Sequence, residues 1–182
     1  ISAQDGDRTT LTVGYSVPVA SGVHGQAVSF RDGSDVTVSL FADGSAEPKY
    51  TVSVPGGTKD SSGQYTTTYD IPEVAPGTYT MRVSKKNHVT REYTVTVSGD
   101  AVTQNAEIWL LGDVNGDGVR DMTDVVQICR RFNGKTSVFG NGDAETRAYR
   151  LKVADIYADN SIDTTDINQI LRYYNGKSSV LG

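Results

Sequence analysis

Residue types that carry catalysis or cross-linking are scarce in this sequence. A single cysteine, Cys129, excludes any disulfide within the chain, and we expect it to be a small buried apolar residue. The two histidines, His24 and His88, lie far apart in turn-like segments, so we expect both at the surface. No serine stands in a GxSxG-type frame. The sequence therefore predicts no catalytic residue.

Long apolar runs and an excess of positive charge are also missing. No apolar stretch approaches the roughly 18 residues that a membrane-spanning helix needs, and no signal-peptide pattern is visible. Lysine and arginine number 17 against 22 aspartates and glutamates, which gives a formal net charge of -5. This charge argues against nucleic acid or an anionic membrane as the partner. The length of 182 residues allows one or two domains.

Residues 1–110 have the pattern of short strands. Apolar and polar side chains alternate in five segments: LTVGYSV (11–17), DVTVSLF (35–41), KYTVSVPGG (49–57), GTYTMRVS (77–84) and EYTVTVSG (92–99). A period of two with one polar face predicts half-buried antiparallel strands. Glycine, proline and asparagine fill the gaps between them. Several short strands at this spacing predict a β-sandwich.

Residues 111–182 follow a helical period instead. Apolar residues recur at helical spacing in two segments, Val125, Ile128 and Phe132 in the first and Ile167, Ile170, Leu171 and Tyr174 in the second. A threonine or aspartate suited to an N-cap precedes each segment. We expect Val125, Ile128 and Phe132 to face a core. The change of period near Leu110 predicts the domain boundary.

The helical part contains an internal repeat. A shift of 42 residues aligns 113–140 with 155–182, and half of the aligned positions are identical. The identities include the four acidic positions of each loop, a glutamine, an arginine and the tripeptide NGK. A duplicated acidic loop followed by a helix is not explained by chance composition.

The first acidic loop has the ligand spacing of an EF-hand calcium loop. Oxygen ligands fall at positions 1, 3, 5, 9 and 12, which are Asp113, Asn115, Asp117, Asp121 and Asp124, and the carbonyl of Val119 provides the ligand at position 7. Gly118 at position 6 allows the sharp turn of the loop. The aspartates of an isolated loop could instead form a solvated acidic turn, but two copies favour calcium. We therefore expect a bound Ca²⁺ to neutralise the cluster.

The second loop is a poorer copy of the first. Its predicted ligands are Asp155, Asp159, the carbonyl of Ser161, Asp163 and Asp166. Position 3 is Tyr157, whose hydroxyl lies too far out to replace a short ligand, and position 6 is Asn160, which suits a left-handed turn. We expect a second calcium ion that binds more weakly than the first. Because a strand rather than a helix precedes Asp113, we expect the metal to be structural rather than to open a target groove.

The repeat resembles the dockerin family of cellulosomal proteins. The resemblance rests on the two loop–helix units over about 112–182, the aspartate at position 12, the NGK after each helix and the connecting stretch ETRAYRLKVADI. Two features depart from the family pattern: Arg120 replaces an apolar residue at position 8, and the segment between the repeats is longer by the residues VFGNGDAETR (138–147). The preceding stretch resembles the Ig-like X modules found before some ruminococcal dockerins.

The resemblance implies both fold and function. The chain would be an α+β protein with an all-β Ig-like X module over 1–110 and a small, mostly helical dockerin over 111–182. Dockerins bind cohesin modules, so the partner would be a cohesin of a cell-surface anchoring scaffoldin. The chain would then be non-catalytic, secreted and held at the bacterial surface, with the X module as stabiliser or spacer.

The resemblance also assigns a cohesin-binding face. Its residues are Met122, Thr123, Gln127, Arg130 and Arg131 in the first repeat and Thr165, Gln169, Arg172 and Tyr173 in the second. Residues four, seven and eight apart share one face of a helix, although the arginines could instead belong to a solvated face. The repeats differ on this surface, as in Met122 against Thr164 and Val126 against Asn168. This asymmetry predicts a single binding orientation.

One alternative function remains open from the sequence, a carbohydrate-binding or hydrolytic β-sandwich with structural calcium. Four tyrosines could form a sugar-binding strip, Tyr65, Tyr69, Tyr79 and Tyr93. They fall mostly at inward positions, so we favour a role in the core. Catalytic carboxylates would have to come from Glu47, Glu73, Glu92, Glu107 or the aspartates of this region. No sequence feature brackets any two of these as a pair.

Overall fold

The computed structural model of the chain describes residues 21–31 and 33–181. The predicted strand over 11–17 lies outside the described residues. Within them, two β-sheets form the first part of the chain and a small helical region follows. The predicted fold class is therefore confirmed. No helix in the described ranges is both long and apolar enough to cross a membrane.

Nine strands form the two sheets of the described chain. The first sheet contains β1 (Gly22–Phe30), β4 (Thr58–Lys59), β5 (Gln64–Pro72), β8 (Val102–Thr103) and β9 (Ala106–Glu107). The second contains β2 (Val36–Ala42), β3 (Tyr50–Val54), β6 (Gly77–Lys85) and β7 (Arg91–Val97). β1 pairs antiparallel with β5 and parallel with β8 and β9. The second sheet is antiparallel in the order β3-β2-β6-β7.

The sandwich core follows the alternation read from the sequence. Val36, Val38 and Leu40 of β2 are fully buried because every second side chain of a strand points to one face of its sheet. Tyr69 and Tyr79 are buried in the same core, whereas Tyr65 and Tyr93 are half-buried. The four tyrosines therefore do not form an exposed strip.

Three helices and one short turn form the second region. They are α1 (Met122–Phe132), a 3₁₀ turn (Val138–Gly140), α2 (Ala144–Ala154) and α3 (Thr164–Tyr174). Asp121 and Asp163 cap α1 and α3 through capping boxes, in which the helix residue Asp124 or Asp166 bonds back to the N-cap amide. The predicted N-caps agree with this geometry.

Two aromatic residues do not lie where their spacing predicts. Val125 and Ile128 are buried as expected, but Phe132 is 59 % exposed, so its predicted place in the core is wrong. Tyr174, the equivalent residue of α3, is 58 % exposed. Both lie in the last turn of their helix, where the chain turns away at the following Asn-Gly. The core below α1 is instead filled by Phe139 from the 3₁₀ turn.

The helical region packs directly against the sandwich rather than being joined to it by a free linker. Its core includes Phe30 from the end of β1, together with Trp109 and Leu110. The Tyr149 hydroxyl of α2 accepts the Trp109 amide at 2.9 Å and donates to the Val89 carbonyl at 2.7 Å. The two regions therefore share one packed junction.

The histidines are less exposed than the sequence suggests. His24 is half-buried, and its Nε2 lies 2.9 Å from the Thr103 hydroxyl. His88 is half-buried at the junction, where its Nε2 accepts the Phe30 amide at 3.1 Å. Both histidines are thus only partly exposed, and His24 lies within β1 rather than in the expected turn.

Candidate calcium loops and docking face

Two carboxylates organise the first acidic loop from the inside. Asp113 and Asp124 are both fully buried. Asp113 accepts the Gly116 amide on one oxygen and the Gly118 amide on the other, each at 2.8 Å. Asp124 reaches back from α1 to accept the amides of Val114 and Asp121, both at 2.9 Å. Positions 1 and 12 thus close the loop from its two ends, as the spacing predicts.

The electrostatics of this pair favour a bound cation. Burial, and then repulsion from Asp124, raise the pKa of Asp113 to about 7. Burial likewise raises the pKa of Asp124 to about 6. Two buried carboxylates that repel each other are stabilised by a nearby positive charge. The donor set is carboxylate, amide and carbonyl oxygen, which are the ligands that Ca²⁺ prefers. The loop therefore fits calcium by its chemistry.

The other predicted ligands of the first loop lie nearer its surface. Asn115 donates to Asp117 at 2.7 Å, and Asp117 accepts the Val119 amide at 2.9 Å. Asp121 accepts the Thr123 amide at 2.6 Å. Within residues 21–31 and 33–181, no three His, Cys, Asp or Glu side chains are grouped closely enough to hold a metal ion. The loop acids instead accept hydrogen bonds from the amides of their own loop.

The second loop repeats this arrangement with more exposure. Asp155 accepts the amides of Asp159 and Asn160 at 3.1 and 2.9 Å. Asp166 is 1 % exposed and accepts the Ile156 amide at 2.7 Å and the Tyr157 amide at 3.0 Å. The Tyr157 side chain is 55 % exposed. The remaining predicted ligands take the same roles as in loop one: Asp159 accepts the Ser161 amide and Asp163 the Thr165 amide.

Both loops need left-handed backbone at two positions. Gly116 and Gly118 have φ of 79° and 83°, and Ala158 and Asn160 at the equivalent positions 4 and 6 have φ of 56° and 65°. Sequence reasoning identified position 6 but missed position 4. The glycine at 116 was the available signal, since only glycine adopts this backbone without cost.

The two loops differ in what precedes them. α2 ends at Ala154 and Asp155 caps it, so the second loop has an entering helix. Before the first loop, β9 ends at Glu107 and Leu110 forms an isolated bridge with His88. The first loop therefore follows extended chain, in agreement with the sequence.

Arg120 explains one departure from the family pattern. It is 6 % exposed, and it donates to the Leu181 carbonyl at 3.0 Å and to the Asn87 carbonyl at 3.4 Å. Burial, and then the charge of Arg31, lower its pKa. Arg120 thus connects the first loop to the end of the second repeat and to the β6–β7 turn, a role that an apolar residue cannot fill.

Four of the predicted cohesin contacts also bond within the chain. The side-chain oxygen of Gln127 accepts the Val138 amide at 2.9 Å, and that of Gln169 accepts the Val180 amide at 3.1 Å. The Nε of Arg130 donates to the Thr136 carbonyl and the Nε of Arg172 to the Ser178 carbonyl, both at 2.5 Å. The two repeats therefore share an exit clasp, which we define as Gln127 with Arg130 and Gln169 with Arg172.

The exit clasp returns the chain to the core after each helix. Phe139 and Leu181 follow the clasped residues and are 6 % and 5 % exposed. Arg150, itself buried, donates to the carbonyls of Val138 and Asn141 at 2.7 and 2.9 Å. The long segment between the repeats thus supplies a buried aromatic residue rather than a plain loop.

At two equivalent exposed positions, α1 carries apolar side chains and α3 carries polar ones. Met122 and Val126 are 42 % and 47 % exposed. They line a groove of about 470 Å³ whose other residues are Val125, Cys129, Arg130, Asn133 and Lys135. The equivalent residues of α3, Thr164 and Asn168, are also exposed. Cys129 is half-buried in the groove wall and packs against the core as a small apolar residue.

The remaining residues of the predicted cohesin-binding face are not equally exposed to solvent. Thr123 is exposed and Thr165 is half-buried. Arg131 is exposed, with its guanidinium 5.1 Å from the Phe139 ring centre. Tyr173 is half-buried between Arg31 and Arg120, whose guanidinium carbons lie 5.8 and 5.1 Å from its ring centre. The freely exposed residues of the predicted face therefore belong mainly to α1.

Comparisons with known proteins agree with the resemblance for the helical region. Two similar solved structures are type II cohesin–X-dockerin complexes of Acetivibrio cellulolyticus, one an N-terminal and one a C-terminal interface mutant. They are 21 % and 20 % identical, each with a TM-score of 0.34 over 85 % of this chain and 95 % of the other. These values are too low to transfer their arrangement to this chain. No curated protein matches. Residues 111–175, which hold both acidic loops and all three helices, match the family model of the dockerin type I domain.

Proposed function

We propose that this chain is a non-catalytic, calcium-dependent interaction module whose helical region binds a cohesin. The observation that carries the proposal is the match of residues 111–175 to the dockerin type I domain, which spans the duplicated acidic loops. The exposed apolar groove on α1 supports it, because exposed apolar patches mark interaction surfaces. The cohesin belongs to a cell-surface scaffoldin, and the complex attaches the parent protein to a cellulosome outside the cell.

Calcium makes the docking face possible in this proposal. The loops hold two ions through the predicted ligands, and Asp124 and Asp166 serve both a loop and the first turn of its helix. Loss of the ion would leave like charges crowded at the start of α1 and α3. Folding of the helices is therefore coupled to metal.

The β-sandwich acts as an X module that stabilises the first calcium loop. A β-carbon placed on Gly118 would lie 2.2 Å from the ring of Phe30, and one on Gly116 would lie 2.8 Å from the ring of Trp109. The loop backbone therefore rests directly on two aromatic rings of the junction. The two rings restrict opening of the first loop, whereas the second loop is more exposed than the first.

The cohesin docks with α1 leading and in one orientation. Met122 and Val126 offer apolar contacts that Thr164 and Asn168 cannot reproduce after a half-turn of the module. Each buried polar group that a rotated complex leaves unsatisfied costs about 1–3 kcal/mol. The exit clasp contributes to docking by positioning the helices, because the side chains of Gln127 and Gln169 already form hydrogen bonds within the chain.

A pull-down separates this proposal from the carbohydrate alternative. The full chain is offered to immobilised cohesins of several types and to cellulose, each in calcium and in EDTA. The proposal predicts capture by a cohesin in calcium alone and no retention on cellulose. Retention on cellulose without capture by any cohesin would overturn it.

A further inference from the structure

A cationic groove lies between the first loop and the end of the second repeat. Its volume is about 590 Å³, and its lining residues are Arg120, Tyr173, Tyr174, Gly176, Lys177 and Ser178. Neither the calcium ligands nor the open face of α1 contribute to this lining. Among the described residues that line the groove, none carries a carboxylate. The groove therefore has charge of one sign.

The guanidinium of Arg120 forms no direct ion pair within the described part of the chain. Its two hydrogen bonds go to backbone carbonyls, and its Nε has no partner among the described residues. The ion pairs found there involve other residues. The carboxylates whose charges act on Arg120 are Asp113 and Asp124, which bind calcium in the proposed function. A buried cation without a counter-charge is costly.

A second guanidinium faces the same ring. Arg31, which is exposed, lies over Tyr173 on a bend after β1 and forms no ion pair in the described ranges. Lys177 adds an ammonium group at the exposed edge. The Tyr174 ring beside them is 58 % exposed. The groove thus offers two lining cations, Arg120 and Lys177, with Arg31 beside them over the Tyr173 ring, and an open aromatic surface with no carboxylate among its described lining residues.

We propose that this groove binds a carboxylate presented by an acidic peptide segment of a partner protein. Guanidinium groups match the planar, two-oxygen geometry of a carboxylate. The exposed Tyr174 ring provides contact for the methylene groups of a glutamate side chain. The groove lies outside the α1 face and shares only Tyr173 with the residues assigned to cohesin, so it forms a second contact region.

Nuclear magnetic resonance of the full, calcium-saturated chain tests this site. The probe is an acetylated hexaglutamate peptide at constant ionic strength, with inorganic phosphate as a second titrant. We expect saturable shifts of the Gly176, Lys177 and Ser178 amides and of the Arg120 side-chain Nε–H. Phosphate should bind more weakly because it lacks the methylene groups that contact Tyr174.

The test uses substitutions at exposed residues, so that a loss of binding does not result from misfolding. Lys177→Ala and Arg31→Gln should each weaken peptide binding about threefold, as expected for a partly exposed charge pair. Lys135→Ala is the matched control, because Lys135 occupies the equivalent NGK turn of the first repeat and lies outside this groove. An absence of saturable shifts, equal loss in the control, or phosphate binding as tight as peptide binding would each overturn the proposal.

Discussion

Replacing Gly118 with alanine tests whether the sandwich supports the first calcium loop. The new β-carbon would lie 2.2 Å from Cδ1 of Phe30, and Phe30 is 2 % exposed, so its ring has no open space to enter. Overpacking of a core costs about 1–3 kcal/mol. The φ of 83° adds about 1–2 kcal/mol for a residue with a β-carbon. Together the substitution should lower the free energy of unfolding by about 2–5 kcal/mol.

A second glycine separates the two costs. Gly134 has φ of 63°, and a β-carbon added there would meet no described atom within 4 Å. Gly134→Ala should therefore lose only the backbone term, about 1–2 kcal/mol. In a Phe30→Ala background the ring is absent, so the loss of unfolding free energy caused by Gly118→Ala should fall to that of Gly134→Ala. The double-mutant cycle thus isolates the contact between loop and sandwich.

Urea unfolding in saturating calcium measures these free energies. Far-ultraviolet circular dichroism follows the helices, and the single tryptophan, Trp109, gives a fluorescence signal from the junction. If Gly118→Ala costs no more than Gly134→Ala, or if the cycle shows no coupling, the sandwich does not support the loop. The stabilising role proposed for it would then be refuted.

Three further predictions follow from the loops and the exit clasp. Chelation of calcium with EDTA should remove most of the helical circular dichroism, because the crowded acids of both loops then repel one another. Unchanged helicity would contradict metal-coupled folding. Tyr157→Asp should tighten the weaker site in calorimetry by adding a ligand at position 3, and equal affinity of variant and parent would show that Tyr157 does not limit the site. Gln127→Ala should lower the free energy of unfolding by about 1–3 kcal/mol, because it leaves the Val138 amide unpaired. Gln127→Glu keeps the accepting oxygen and should lower it less. Equal losses in the two variants would rule out the exit clasp.

Much of the candidate site could be predicted from local spacing. The acidic positions of each loop, the N-caps Asp121 and Asp163 and the left-handed turn at position 6 follow from rules that span at most twelve residues. The four strands of the second sheet followed from alternation for the same reason, whereas β1 and β5 of the first sheet were not among the predicted strands. Such features depend on neighbours in sequence, so the sequence contains them directly.

The functions of the repeated polar residues could not be predicted in this way. Gln127 and Arg130 have the spacing of an exposed helix face, and their bonds to Val138 and Thr136 depend on how the chain turns after α1. The exposure of Phe132 and the burial of Phe139 have the same origin. Helical period alone does not determine which of two nearby aromatic residues reaches the core.

The contacts at the junction between the sandwich and the helical region could not be predicted from the sequence. Phe30 contacts a loop whose glycine is far along the chain, and Arg120 bonds to both Asn87 and Leu181. Only tertiary packing brings these groups together. Arg120, the unusual residue at position 8 of the first loop, could be noticed in the sequence. Its bonds to Asn87 and Leu181 explain it in the structure.

Calorimetric titration of a cohesin that the chain captures tests the central claim most directly. The full chain is compared in calcium and in EDTA, with Val126→Asp on α1 and Asn168→Asp at the equivalent position of α3. The account predicts binding in calcium, none in EDTA, at least a tenfold loss of affinity, about 1.4 kcal/mol, for Val126→Asp, and little change for Asn168→Asp. Binding that persists in EDTA, or equal losses in the two variants, would contradict calcium-dependent docking led by α1.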